Sequence, residues 1–172
     1  MTLAEHRENL KKNSDAYSMD MERCYSTVVK HLKDVGYKRI TLKRAPEVVK
    51  KFVNLIFLSQ DKKPYFHIES KSGLPFCWNS PSNKGWDIDY IKYEWGHLMS
   101  RNQNGRNAHN IENLCLQSAR CNQHIQSSMN IEELKAYGGK LEKVIIKNEK
   151  SREKLFKSDD WQVLLQDLSK WK

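Results

Sequence analysis

The sequence predicts an α+β protein, with helices at both ends and short strands between them. Three observations carry that expectation. Apolar residues recur at steps of three and four in residues 20–57 and again in 131–172, the period of one helix face. In the middle, apolar and polar residues alternate, as Trp86, Ile88 and Tyr90 do with Asp87 and Asp89. Clusters of Pro, Gly, Asn and Ser punctuate that middle region. A chain of 172 residues fits one domain, or a compact core with accessory arms. The expected division is an N-terminal helical arm at 1–64, a core at 65–130 and a C-terminal helical extension at 131–172.

The elements follow in order. Residues 1–18 are polar and read as a loose arm. From Asp20, the residues Met21, Tyr25, Val28 and Leu32 define a helix face, and Gly36 is its stop. Lys38–Leu42 reads as a short extended piece. Pro46 suits the first turn of a second helix, buried through Val48, Val49, Phe52, Val53, Ile56 and Phe57 and ended by Pro64. The lysines on these helices, Lys30, Lys33, Lys50 and Lys51, read as a solvated face. Tyr65–Ser70 and Leu74–Trp78 read as strands around a Ser72-Gly73 turn, and Trp86–Tyr90 as a third. If Tyr93–His97 is extended, Tyr93, Trp95 and His97 share one face, with Glu94 and Gly96 on the other. Arg101–Asn110 is a polar loop, and from Ile111 to about Ser127 a turn leads into a helix. Residues 131–147 form a further helical piece interrupted at Gly138-Gly139, and 151–172 a last helix.

The net charge is +9, with 30% of residues charged and 38% hydrophobic. That balance favours an anionic partner such as nucleic acid. No apolar run reaches the roughly 18 residues of a membrane span, and Met1–His6 lacks an apolar signal stretch. The expectation is an intracellular protein with no membrane partner, whose cysteines (Cys24, Cys77, Cys115 and Cys121) stay as thiols.

The residues with chemistry cluster between Glu94 and Asn122. His97 ends the last expected strand, Asn113-Leu114 begins sixteen residues later, and Asn122 lies nine residues beyond Asn113. Phosphodiester hydrolysis needs a water deprotonated in line with the leaving oxygen, and positive charge on the phosphate. A neutral histidine takes a proton near pH 7. A hard cation such as magnesium prefers oxygen ligands and keeps several waters, so one side-chain carbonyl from the protein is enough to hold it. Asn122 offers that oxygen. Asn113 suits bonds to backbone that tie the loop and orient His97.

Residues 74–127 resemble the ββα-metal nuclease motif, which includes the HNH endonucleases. His97, Gly105, Asn113-Leu114 and Cys121-Asn122 occur in the order of that family's pattern. The resemblance implies a ββα-metal core flanked by helices, with His97 as general base, Asn113 as the structural asparagine and Asn122 as a metal ligand. Gly96 departs from the HNH pattern, which carries an acidic residue or histidine before the base. Glu94-Trp95-Gly96-His97 is instead similar to the Asp-Arg-Gly-His motif of the nonspecific nuclease branch, where glycine precedes the base. Glu94 shares a strand face with Gly96, which makes it the second candidate ligand. Many HNH domains also hold zinc on two Cys-x-x-Cys pairs. The corresponding places read Cys77-x-x-Ser80 and Ser118-x-x-Cys121, so no structural zinc is expected.

Around these residues, Arg101, Arg106 and Arg120 are candidates to grip phosphate. His109 either contacts phosphate or is solvated. His124 and Gln126 are runner-up ligands, whereas His67, Asp87 and Asp89 read as structural or solvated. The lysine- and glutamate-rich stretch Lys135–Lys157 either tracks a DNA backbone or forms a solvated amphipathic helix. The expectation is a magnesium-dependent endonuclease, with manganese as an alternative metal, cutting double-stranded DNA to leave 5′ phosphates. Restriction-type or phage and homing nucleases are the expected kind, and cutting both strands implies a homodimer. Two alternatives stand beside it: a nucleic-acid-binding module on a degenerate nuclease scaffold, and a nonspecific nuclease that also cuts RNA.

Overall fold

The computed structural model describes residues 21–66, 76–77, 86–87, 93–99, 110–118, 122 and 129–172, with backbone alone at 76–77 and 86–87. Helix α1 spans Met21–Asp34 and buries Cys24, Val28 and Leu32, one residue per turn. It stops where Gly36 takes a φ of +115°, a conformation costly for any residue with a Cβ. The Tyr37 N–H then reaches back to the Leu32 carbonyl at 3.0 Å. Helix α2, Pro46–Ser59, starts on its proline and buries Val49, Phe52, Val53 and Ile56.

Between these helices the expected extended piece at 38–42 is a pair of turns instead. Its hydrogen bonds explain the difference. Arg39 is tied to the C-terminus, its backbone N–H donating to Trp171 O and its guanidinium to the carbonyls of Lys170 and Lys172. Among the described residues no neighbouring strand competes for those groups.

Short strands β1 (Phe76–Cys77) and β2 (Trp86–Asp87) pair antiparallel with each other. The expected strand at 65–70 begins differently, with Tyr65 and Phe66 in a turn and its remainder outside the described residues. Strand β3, Tyr93–His97, pairs antiparallel with β4, Leu114–Ser118, in the register Tyr93↔Ser118 to His97↔Leu114. β4 corrects the expectation of a turn leading directly into a helix after Ile111. A 3-10 turn at Ile111–Asn113 opens into a strand first. Every residue of β4 is buried, so its sequence shows no alternation to mark it as extended. Its outer edge is closed by Gln60, whose side-chain amide donates to Leu116 O at 2.8 Å and accepts from Leu116 N at 3.0 Å.

Among the described residues three helices follow. α3, Ile131–Lys135, opens on a capping box between Asn130 and Glu133. Gly138 and Gly139, with φ of +66° and +62°, separate it from α4, Gly139–Phe156. α5, Asp159–Ser169, is capped by Ser158, which accepts from the Trp161 N–H at 3.3 Å. The break expected between 147 and 151 lies instead at Lys157-Ser158. Nothing in Asn148-Glu149-Lys150-Ser151 interrupts a helix, whereas Ser158 followed by two aspartates begins one.

One hydrophobic core draws on α1, α2, β3, β4 and α5. Phe52 of α2 joins them, its ring 5.8 Å from Trp95 of β3 and 5.9 Å from Trp161 of α5. A second cluster gathers Tyr65, Phe66, Cys115, Leu134, Leu141 and Ile145 on the other side of the β3–β4 pair. The sheet is thus covered on both faces, which holds β3 in place. Among the described residues no helix is long and apolar enough to cross a membrane.

Candidate functional site

β3 delivers chemistry-bearing residues on both of its faces. Trp95 and His97 point toward α1, where the Trp95 indole donates to Cys24 O at 3.1 Å. The half-buried His97 ring meets the His31 ring edge-on, with centroids 5.4 Å apart. Glu94 and Gly96 lie on the opposite face. There the Asn122 side-chain amide donates to Glu94 Oε2 at 3.2 Å.

Gly96 is small for a visible reason. A Cβ at this position would stand 2.8 Å from Gln117 Cδ and 2.9 Å from Asn122 Oδ1. Contacts that short do not occur without movement of the neighbours. The glycine therefore admits the Asn122 oxygen onto the strand. The Asn122 amide N–H, rather than this oxygen, faces the Glu94 carboxylate, so the pair is joined by a hydrogen bond. Among the described residues no group of three His, Cys, Asp or Glu side chains is placed to hold a metal.

Asn113 ends the 3-10 turn that leads into β4. Its side chain accepts from Met99 N at 2.8 Å and donates to Met99 O at 2.9 Å, while its own carbonyl accepts from Leu98 N at 3.0 Å. These three bonds hold the chain that leaves His97. The turn is held from behind by Arg152 of α4, 4% exposed, whose Nη2 donates to the carbonyls of Glu112 and Leu114 on either side of Asn113. The guanidinium also faces the rings of Tyr65 and Phe156, at 5.9 and 5.1 Å. Burial lowers its pKa from the usual range. Burial likewise pushes the neighbouring Cys115 thiol up to about 11 and raises the Tyr65 hydroxyl.

A cleft of about 520 Å³ opens beside Met99 and Asn113, walled in part by Glu112, Glu132 and Glu149. Its carboxylates make it a poor seat for phosphate.

The structure brings Glu94 and Asn122 together and joins Asn113 to the chain just after His97. Strand alternation sends the His97 ring and the Glu94–Asn122 pair to opposite faces at the end of β3. Arg101, Arg106, His109, Arg120, His67, His124 and Gln126 lie outside the described residues. Sequence reasoning missed His31 and Arg152. Arg152 had a signal: Leu141, Ile145, Asn148 and Arg152 share one helical face, so two polar residues stand on the buried stripe. Asn148 uses its place there to donate to Tyr65 O. His31 had a weaker one, standing beside Leu32 at the inner end of α1.

No family model matches the chain, and comparisons with curated proteins and with solved structures return no match.

Proposed function

We propose that the protein is a magnesium-dependent endonuclease of the ββα-metal kind, acting on DNA. The observation that carries the reading is the arrangement at the end of β3. A histidine ends the strand with a bracing asparagine behind it, and on the opposite face of the same strand Glu94 is hydrogen-bonded to Asn122. Asn122 Oδ1 and Glu94 are the groups that fit magnesium, with manganese as an alternative. The bound cation would supply positive charge to the phosphate and to the leaving oxygen.

The chain's own residues do the rest. His97, unprotonated, takes a proton from the attacking water and returns it to solvent. Asn113 keeps the His97–Met99 segment from swinging, so the base starts from one orientation. His97 and the Glu94–Asn122 pair lie on opposite faces of β3, so His97 is assigned the proton, and Glu94 and Asn122 are kept as the groups that would hold the cation.

The experiment is incubation of supercoiled plasmid with the full chain in magnesium or in chelator. Conversion to nicked or linear DNA in magnesium alone supports the reading. Tight, salt-sensitive binding with no conversion overturns it in favour of a binding module without catalysis.

A further inference from the structure

α4 carries six lysines, Lys140, Lys143, Lys147, Lys150, Lys154 and the capping Lys157, at alternating steps of three and four. At 3.6 residues per turn these fall within about 100° of arc and span roughly 26 Å along the helix axis. All six are exposed. The buried residues Leu141, Ile145, Asn148 and Arg152 occupy nearly the opposite face. Glu142, Glu149 and Glu153 fall in a separate sector between the two. The charges are therefore sorted by sign around the helix, whereas an ordinary solvated helix intersperses them. The next helix, α5, carries three aspartates and no lysine, so of these two adjoining helices α4 holds the positive charge.

Among the described residues, Lys140, Lys143, Lys150 and Lys154 make no ion pair. Lys147 meets Asp61 at 3.3 Å and Lys157 meets Glu153 at 2.8 Å, with every one of these side chains well exposed. Pairs of that kind exchange readily for another anion.

We infer that this lysine stripe is a docking surface for the phosphate backbone of duplex nucleic acid, separate from the catalytic residues on β3. A linear array of roughly 26 Å matches about seven or eight base-pair steps of a duplex, which presents one charge per about 1.7 Å of axis. An anionic membrane suits it less. Interfacial helices insert an apolar face into lipid, and the apolar face of α4 is committed to the core, with Leu141 3% and Ile145 0% exposed. The opposite side of the same helix holds the Asn113 turn through Arg152. The inference rests on the nucleic-acid reading above and needs no catalysis.

The test is fluorescence anisotropy of a labelled mixed-sequence DNA duplex titrated with the full-length His97→Ala chain, without magnesium, over a range of salt. In one variant Lys143, Lys147, Lys150 and Lys154 become Gln. In a control of equal net charge, the exposed Lys33, Lys38, Lys43 and Lys170 become Gln. The stripe variant is expected to bind at least about tenfold more weakly near 0.1 M salt. Its log–log salt slope is expected to be shallower by up to about 3–4, since each phosphate contact contributes about 0.9. The control loses far less, and a stripe Lys→Arg variant retains binding. If the fourfold Gln variant misfolds by circular dichroism, the pairs Lys143/Lys150 and Lys147/Lys154 are used, with half the slope change expected. Equal loss in stripe and control overturns the inference, as does unchanged duplex binding. Loss of phosphatidylserine-vesicle binding with duplex binding intact also overturns it. Plasmid nicking with stripe-independent binding would remove this surface alone, whereas stripe-dependent binding without nicking would remove the catalytic reading alone.

Discussion

The side-chain amide of Asn113 closes on both backbone polar groups of Met99, accepting from the N–H at 2.8 Å and donating to the carbonyl at 2.9 Å. Met99 is two residues beyond His97, so this pairing sets where the strand ends and how the histidine leaves it. Asn113→Ala removes both bonds and is predicted to cost about 1–3 kcal/mol, because the asparagine is buried and its replacement leaves groups unsatisfied. Plasmid nicking is expected to fall about ten- to hundredfold from misplacement of the base alone. Urea unfolding and nicking rates on the same preparation check the two effects separately.

Gly96→Ala puts a methyl group against Gln117 and Asn122. Overpacking of this kind costs about 1–3 kcal/mol. The larger effect is expected on magnesium, since the displaced group includes the Asn122 oxygen that lies against Gly96. The magnesium concentration for half-maximal nicking should rise at least about tenfold, while DNA binding in chelator stays close to wild type. An unchanged magnesium requirement would mean that Asn122 Oδ1 is not a ligand.

Arg152→Met keeps the helix former and most of the apolar stem but leaves Glu112 O and Leu114 O without their donor. The predicted loss is about 2–4 kcal/mol, since two carbonyls lose a charged donor at a buried site. Arg152→Lys is expected to recover only part of it, because an ammonium lacks the planar face that the guanidinium sets against the Tyr65 and Phe156 rings. Thermal unfolding of both variants measures the difference.

Cys115 is wholly buried, and its thiol pKa rises from 9.0 to about 11 in the folded chain. The unfolded chain therefore gives up this proton near pH 9 while the folded chain holds it. Stability contributed by the neutral thiol is intact below pH 9 and is lost as pH climbs from about 9 to about 11, by roughly 2–3 kcal/mol in total. Urea midpoints measured from pH 8 upward should fall over that window and fall less in Cys115→Ala. Tyr65 and Tyr37, whose hydroxyls burial raises in the same direction, contribute to the slope that remains.

The helices were legible because each buries one stripe against the core, as Cys24, Val28 and Leu32 do, and the spacing records that one-sided contact. β4 was not, because burial on both sides erases alternation from Leu114 to Ser118. At the site, the shared face of Glu94 and Gly96 followed from strand period alone. The meeting of Glu94 with Asn122 did not, since it depends on how the chain returns over β3. His31 and Arg152 reach the site from 66 and 55 residues away along the chain, measured from His97, and local pattern carries no record of such contacts. Arg152 left a trace only as a polar residue on an apolar stripe.

The central claim is that His97 is the base, and the most direct measurement compares nicking of supercoiled plasmid by wild type and His97→Ala in magnesium. General-base removal is predicted to slow nicking by about 10²–10⁴-fold, with duplex binding in chelator retained. Equal nicking by the two proteins, or no nicking by wild type, would contradict it.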